Sequence, residues 1–394
     1  SMGNKNKMYF YDLVAQKETE IGDLSGYSFS ADNKKMMTSS NSNYYILDIP
    51  TGKVNLETPL NLSDMKVMVD RKAEWNQIYY ECWRQMRDFF YDPNMHGVDW
   101  EGLKKNYATL LPYVNQRQDL TYIIGELIGE LNIGHAYVGG GDYVKADRVN
   151  MGLLGARLAK DPSGYYKITK IFKGQNWDRV TRSPLTEIGV NAKEGDYIIA
   201  INGIKTSDVV NINQLLIATA DKQVKLTLNS KPSEEGSRVV TVVPTNDEQK
   251  LIYYNWVEEN YEKVNKATNG RVGYLHIPNM GSEGLNEFVK HFYAQLSKEA
   301  LIVDDRGNGG GNVSPHIIER LRREPVQVTL MRNSMPSFEP NEQIIGPKVA
   351  LVDEWSASDG DIFAYRFRKH NLGPIIGKRT WGGVVGIRGS LPLV

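Results

Sequence analysis

The C-terminal part of the sequence alternates between two patterns of apolar residues, and this alternation constrains the fold more than any other feature. Short apolar runs predict buried strands, and apolar residues spaced three or four apart predict helices. The strands fall at 271–277, 300–303 and 349–352, and the helices at 283–297, 313–323 and 362–370. Strands that alternate with helices are typical of a central sheet covered by helices. Residues 246–394 are therefore predicted to form an α/β domain.

Ser358 lies where the predicted strand at 349–352 gives way to the predicted helix at 362–370. At such a turn a hydroxyl can project from the backbone. The first N–H groups of the helix, with the positive end of its dipole, then face any oxyanion that forms beside it. Serine is also an ordinary N-capping residue. The turn alone therefore leaves two interpretations of Ser358 open, a nucleophile or a helix cap.

A glycine-rich loop at 304–312 follows one predicted strand and precedes a predicted helix. It lacks the Gly-Lys-Ser/Thr ending of a phosphate-binding loop and the glycine spacing of a dinucleotide-binding loop. Consecutive glycines do allow backbone N–H groups to approach a substrate carbonyl without obstruction by a Cβ atom. The loop is therefore predicted to supply a hydrogen-bond donor to an oxyanion.

The first 62 residues contain a repeat. The pattern at 9–13, followed by Lys17, recurs about 36 residues later at 45–49, followed by Lys53, which is close to the roughly 40-residue period of a β-propeller blade. A predicted strand and an Asp-Asn turn, Asp32-Asn33, lie between the two copies. One repeat cannot close a propeller, so the chain is expected to be a fragment of a longer protein.

A helical region follows, at 63–147. The spacing of its apolar residues predicts helices at 75–90, 100–111 and 120–131. His135 comes directly after the last of them, in an otherwise apolar segment. The sequence thus predicts a histidine held at a helix exit.

Residues 148–245 are rich in predicted strands, at 166–172, 197–201, 224–228 and 239–243, with a helix predicted between Asn211 and Ala220. The segment at 194–203 resembles the strand and turn of a PDZ domain, and the segment at 152–158 resembles its carboxylate-binding loop. Such a loop directs backbone N–H groups at a peptide C-terminus, while the peptide adds a strand to the sheet edge. The alternative is a small β-barrel that serves as a spacer.

Taken together, these segments resemble the tricorn protease family, a branch of the C-terminal processing (tail-specific) serine peptidases. The resemblance covers nearly the whole chain. Its most specific motifs are Asp-Arg-Gly-Asn-Gly-Gly-Gly at 305–311, Ser-Ala-Ser-Asp-Gly-Asp at 356–361 and the glycine-rich segment at 377–387.

The resemblance implies a multidomain α+β protein. Its parts would be the end of a β-propeller at 1–62, a helical cap carrying the histidine at 63–147, a PDZ-like domain at 148–245, and an α/β, crotonase-like peptidase core at 246–394 that is truncated at its C-terminus.

The resemblance also implies a serine-type endopeptidase and assigns its site residues. Ser358 would be the nucleophile and His135 the general base, with an oxyanion hole formed by the N–H of Gly310 or Gly311 and the N–H of Asp359. This assignment is chemically consistent, because a neutral imidazole can take the serine proton at pH 7 and return it to the leaving amine.

Two departures from the family pattern favour an alternative, a catalytically impaired PDZ-bearing scaffold that binds peptides. Gly134 stands where archaeal tricorn proteins carry a serine that helps to orient the histidine. The family's tetrad glutamate is expected beyond Val394. A histidine without its third partner has no fixed tautomer, so this chain is expected to be weak or inactive by itself.

The tail-specific relatives use a Ser/Lys dyad, whose lysine falls in the glycine-rich segment after the helix. In this chain that segment, 381–386, has no lysine, and Lys378 lies a few residues earlier. We interpret Lys378 as a solvated or structural charge and His135 as the better base.

The remaining composition excludes several function classes. Lys+Arg 47 balance Asp+Glu 47, so no global basic surface suggests nucleic acid as a partner. Cys82 is the one cysteine, and no His-Glu-x-x-His motif is present. No cofactor, metal or membrane span is therefore expected. The expected partners are peptide substrates or protein C-termini, and the resemblance implies a cytoplasmic homo-oligomer, a hexamer.

Overall fold

The computed structural model describes residues 7–143, 145–387 and 389. The ends of the first and last predicted domains, 1–6 and 390–394, lie outside the described residues. The chain divides into two compact units, one of residues 1–74 and one of residues 75–394. The boundaries between the four predicted domains remain a prediction.

The first unit contains two antiparallel sheets around a small core of Ile21, Leu24 and Met36. A hairpin pairs β1 with β2, and a meander has the order β3-β4-β5. The Asp-Asn turn is confirmed, because Asn33 has a φ of 55° and its N–H donates to the Ser30 carbonyl. The strands are β1 (Met8–Asp12), β2 (Lys17–Gly22), β3 (Ser25–Phe29), β4 (Lys35–Ser40) and β5 (Asn43–Asp48).

Three helices confirm the predicted helical region. They are α1 (Arg71–Phe89), α2 (Trp100–Ala108) and α3 (Arg117–Gly129). The apolar face of α3 is buried at Leu120 and Leu127, and α2 is fixed to α1 because the Trp83 indole N–H donates to the Trp100 carbonyl. His135 follows the end of α3 within this packed region. None of the described helices is long and apolar enough to cross a membrane.

The β-rich region forms an antiparallel sheet with the strand order β11-β10-β8-β7-β6, in which β9 pairs with β8. Alternate residues of its strands pack into one core that includes Ile168, Ile198, Leu226 and Leu228. The strands are β6 (Ala156–Lys160), β7 (Tyr166–Ile171), β8 (Tyr197–Ile201), β9 (Ile204–Lys205), β10 (Val224–Asn229) and β11 (Arg238–Val242).

The helix predicted between Asn211 and Ala220 is wrong in type and length. The chain forms a 3₁₀ helix at Ile212–Leu216. It ends there because Ala218 has a φ of 57° and its N–H donates to the Asn150 carbonyl, which draws the backbone into pairing with the segment at 150–152.

The C-terminal region is the predicted α/β domain. Its sheet has the order β12-β13-β16-β17, and all of its strand pairs are parallel. The core between sheet and helices includes Phe288, Phe292, Phe363 and Phe367. The elements are β12 (Val272–His276), α5 (Ser282–Tyr293), β13 (Ala300–Asp304), α6 (Ser314–Leu321), β14 (Gln327–Thr329), β15 (Ser337–Glu339), β16 (Lys348–Val352), α7 (Asp359–Lys369) and β17 (Ile375–Gly377).

A long helix, α4 (Gln249–Ala267), precedes this sheet and is not predicted by the sequence pattern. Its buried positions include the polar Asn255, whose Oδ1 accepts from the Lys173 N–H at 2.8 Å. A buried asparagine interrupts the apolar stripe that sequence analysis relies on. The helix contacts the segment that follows β7 through Asn255 and packs on β12 through Tyr253 and Trp256.

Candidate active site

Ser358 connects β16 to α7 through a strained turn. Its φ of 56° and ψ of −115° lie outside the regions that non-glycine residues ordinarily occupy. Such a conformation costs on the order of 1–3 kcal/mol and persists only where the surrounding structure enforces it. Ser358 precedes α7 at the N-cap position, but its side chain makes no capping hydrogen bond. The geometry therefore favours a presented hydroxyl over a helix cap.

The glycine loop holds this turn in place. The Ala357 N–H donates to the Asn308 carbonyl at 2.7 Å, and the Ser356 hydroxyl donates to the Asp305 carbonyl at 2.8 Å. Gly310, with a φ of 94°, lies so close that a Cβ atom on it would stand 2.6 Å from the Ser358 Cβ. The structure thus brings the two predicted motifs together around Ser358.

Asp359 leaves its backbone N–H available beside Ser358. Its buried carboxylate accepts from the Ser314 hydroxyl at 2.6 Å and the Ser314 N–H at 2.9 Å. Within the described residues, the Asp359 N–H has no acceptor of its own. This is the arrangement expected of an oxyanion-hole donor at a helix start.

The two glycines proposed as the second donor differ in their bonding. The Gly310 N–H already donates to the Asn308 side-chain oxygen at 2.9 Å. Gly311 forms a bridge with Met280, and in the described part of the chain its N–H has no acceptor. Gly311 is therefore the better candidate for the second oxyanion-hole donor. Gly310 is the residue that lets the loop lie close to Ser358.

His135 lies half-buried after α3, and its Nδ1 is 2.5 Å from the Val385 carbonyl oxygen. Because a carbonyl can only accept, Nδ1 must carry the proton, which leaves Nε2 as the basic atom. The Trp381 ring meets the imidazole edge-on, with ring centroids 5.5 Å apart. His135 thus has a defined tautomer and orientation.

The segment at 381–387, which we call the strap, links this histidine to the serine turn. The Trp381 N–H donates to the Ser356 carbonyl at 3.0 Å, and the Gly382 N–H donates to Asp361 Oδ1 at 2.7 Å. Ser358 and His135 do not hydrogen-bond to each other in this structure. They are joined through the strap instead.

Gly134 lies beside the Trp381 ring of the same segment. A Cβ atom at this position would lie 3.4 Å from the Trp381 ring, in ordinary van der Waals contact. A Cβ atom at residue 134 therefore does not collide with the ring. The Val385 carbonyl supplies an orienting acceptor that does not depend on residue 134.

Lys378 is not placed as a base. Its Nζ is 2.6 Å from Glu354 Oε1, and its side chain is 72% exposed. The hydrogen bond to Glu354 raises the pKa of Lys378, whereas a base that works near neutral pH needs a lowered pKa.

Three residues that support the site are not assigned a role by the sequence. His276, on β12, donates from Nε2 to the Arg306 carbonyl at 2.8 Å and so helps to fix the position of the glycine loop. Burial lowers the pKa of His276, which favours its neutral form. Asn308 bonds both motifs, and Asp361 anchors the strap. For Asn308 and Asp361, the sequence signal that could have suggested a supporting role is their position inside the recognised motifs.

A buried carboxyl group lies beneath the turn. Asp305 is fully buried, and its Oδ2 has no hydrogen-bond partner within the described residues. Burial raises the pKa of Asp305 well above its usual range, so the neutral acid is favoured. Among the described residues, no cluster of histidine, cysteine and acidic side chains could hold a metal ion.

Comparison with known proteins identifies three domains along this chain. Profiles of the tricorn protease C1 domain, the tricorn protease PDZ domain and peptidase family S41 match residues 71–129, 152–247 and 271–394. The chain is 35% identical to "Tricorn protease homolog 1" of Streptomyces coelicolor, over 98% of this chain and 36% of that protein. It is 32% identical to "Tricorn protease" of Thermoplasma acidophilum, over 97% of this chain and 35% of that protein.

A solved structure described as "Crystal structure of the tricorn protease" superposes with a TM-score of 0.86 at 31% identity. The superposition covers 98% of this chain and 37% of that chain. The chain therefore spans about a third of the length of these relatives.

A PDZ domain followed by an S41 domain, with a serine presented at a strand-to-helix turn, defines the class of the PDZ-bearing S41 serine peptidases. Because tricorn-specific domains match on both sides of residue 140 and the likeness extends over nearly the whole chain, the particular family is also clear. The chain belongs to the tricorn protease family.

Proposed function

We propose that the protein is a serine-type endopeptidase of the tricorn type that cleaves peptides. The observation that carries this proposal is the strained turn of Ser358, which sets its hydroxyl beside the Asp359 N–H and against the glycine loop. Among the described residues, neither of these two groups has a hydrogen-bond partner. His135 Nε2 takes the proton from Ser358 Oγ as Oγ bonds to the peptide carbonyl carbon. The Asp359 and Gly311 N–H groups receive the oxyanion.

The second half of the reaction uses the same groups. The His135 imidazolium gives its proton to the leaving amine as the C–N bond breaks, which leaves an ester on Ser358. Water, deprotonated by His135, then hydrolyses this ester and restores the serine. Proton transfer requires Ser358 Oγ and His135 Nε2 to come within about 2.6–3.2 Å, so these two atoms must approach each other when a substrate binds.

The test is covalent labelling of the natural polypeptide that contains this sequence. A fluorophosphonate probe is expected to modify Ser358, as read by peptide mass spectrometry, and the same protein is expected to cleave a fluorogenic peptide library. Absence of both labelling and cleavage, with the polypeptide folded by circular dichroism, would remove the proposal.

The alternative, a peptide-binding scaffold with a vestigial site, predicts that peptides stay intact after hours of incubation. The fixed tautomer of His135 favours the peptidase, because an orienting acceptor is present despite Gly134.

We further propose that residues 1–62 are the end of a β-propeller, that 63–147 form a helical cap and that 246–394 form a crotonase-like core. A cytoplasmic homo-oligomer, a hexamer as in the family, is part of the same proposal.

Trp381 is expected to contribute to activity by confining the imidazole of His135. Trp381→Ala removes the ring that meets His135 edge-on, so kcat should fall about 10- to 100-fold, as small misplacements of a catalytic group do. Trp381→Phe keeps an aromatic wall and should retain most of the activity. Steady-state cleavage of a fluorogenic peptide measures both variants, and equal activity of alanine and wild-type proteins would contradict this role.

A further inference from the structure

The loop that the sequence assigns to carboxylate binding, residues 152–158 in the PDZ domain, is not open in this structure. The Gly152 N–H donates to the Leu216 carbonyl at 2.8 Å, and the Leu153 N–H donates to the Thr245 carbonyl at 2.7 Å. Two of the N–H groups that could meet a peptide C-terminus therefore already serve the backbone of the domain itself.

A third N–H group of the loop is taken by a carboxylate from within the chain. The Gly155 N–H donates to Glu248 Oε2 at 3.2 Å, and the Arg157 guanidinium stands 3.8 Å from Glu248 Oε1. The Glu248 side chain is only 14% exposed. A backbone N–H and a cation on one carboxylate are the contacts that would hold the terminal carboxylate of a peptide.

Helix α4 keeps Glu248 in this position, because Glu248 directly precedes its first turn. Leu251, one helical turn after Glu248, is fully buried. Its side chain packs so close to Gly155 that a Cβ atom on Gly155 would stand 2.9 Å from it. Glu259, farther along the helix, pairs with Lys170 of β7 at 2.6 Å. The carboxylate is therefore delivered by an element that is packed along the PDZ domain.

We propose that Glu248 is the resident carboxylate ligand of the PDZ loop, so that this domain is closed to free peptide C-termini until Glu248 is removed or displaced. The ligand class that the loop would otherwise take is a peptide with a free α-carboxylate. This inference goes beyond the proposed function, since it concerns binding at a loop remote in sequence from Ser358 and does not depend on cleavage.

The experiment measures whether binding depends on a free carboxylate. All proteins carry Ser358→Ala, so that peptides stay intact. Each protein is immobilised and offered equimolar pools of hexapeptides that are randomised at the last three positions and end in either a carboxylate or an amide. Mass spectrometry then gives the ratio of retained carboxylate to retained amide peptides. With Glu248 present this ratio should lie within about twofold of one, and with Glu248→Ala it should rise at least about tenfold.

Glu262→Ala is the matched control, because it removes an exposed carboxylate from the same helix but not from the loop, and its ratio should equal that of the Glu248 protein. A tenfold preference for carboxylates with Glu248 in place would overturn the proposal, as would a folded Glu248→Ala protein without any preference. If circular dichroism shows that Glu248→Ala does not fold, the ratio is measured with Glu248→Gln in its place. It keeps the shape and an acceptor oxygen but not the charge, so a ratio above about threefold supports the proposal and a ratio of one refutes it.

Discussion

Ser358→Ala is expected to lower kcat for peptide cleavage by about 10⁴- to 10⁶-fold, and His135→Ala should cause a loss in the same range. The two residues act as one unit, because His135 serves to take the proton of Ser358. Once the nucleophile is gone, adding His135→Ala should therefore cost almost nothing more. The residual rate would come from the oxyanion-hole donors and substrate binding alone.

The measurement is steady-state cleavage of a fluorogenic peptide by the wild type, both single variants and the double variant. Lys378→Ala is the control, and its kcat should stay within about threefold of the wild type, because Lys378 is exposed and paired with Glu354. Near-normal turnover by His135→Ala together with collapse in Lys378→Ala would instead establish a Ser/Lys dyad.

Gly310→Ala is expected to lower kcat by about 10²- to 10³-fold, comparable to the loss of an oxyanion-hole donor. A Cβ atom on Gly310 would stand 2.6 Å from the Ser358 Cβ and 2.8 Å from the Ala357 carbonyl oxygen. Its φ of 94° adds strain for any residue with a side chain. The serine turn must therefore shift, and the hydroxyl moves away from the Asp359 N–H.

The neighbouring glycine offers a control of the same chemistry. No atom of the described residues lies within 4 Å of a Cβ atom on Gly309, and its φ is not in the left-handed region, so Gly309→Ala should keep kcat within about threefold. Thermal melting followed by circular dichroism separates a displaced turn from a loss of folding. If Gly309→Ala and Gly310→Ala reduce kcat equally, close approach to Ser358 is not the cause.

The sequence predicts the α/β domain well, because its strands and helices are regular in period and its motifs fall at the strand ends. The serine turn and the glycine loop meet in the structure because parallel strands place their carboxyl ends along one edge of the sheet. What the sequence could not predict depends on contacts between distant segments. The acceptor for His135 is the carbonyl of Val385, 250 positions away, and a backbone carbonyl leaves no trace in the residue type.

The same limit explains the other differences. The Gly310 N–H is occupied by a side chain two residues away, which a glycine pattern does not reveal. The 3₁₀ helix at Ile212–Leu216 replaces an α-helix because its end pairs with the segment at 150–152. In the PDZ loop, the glycine-rich residues resemble an open carboxylate site, yet Glu248 reaches it from outside the segment that carries the resemblance.

Helix α4 has a consequence for how the second unit unfolds. Leu251 and Asn255 are buried against the PDZ domain, while Tyr253 and Trp256 contact His276 of the peptidase sheet. If either domain unfolds, the face of the helix that packed on it becomes exposed to water and the helix loses part of its support. Their unfolding equilibria are therefore coupled. A destabilising change in one should lower the amide-exchange protection of both, so we expect the two domains to unfold as a single cooperative unit despite their separate cores.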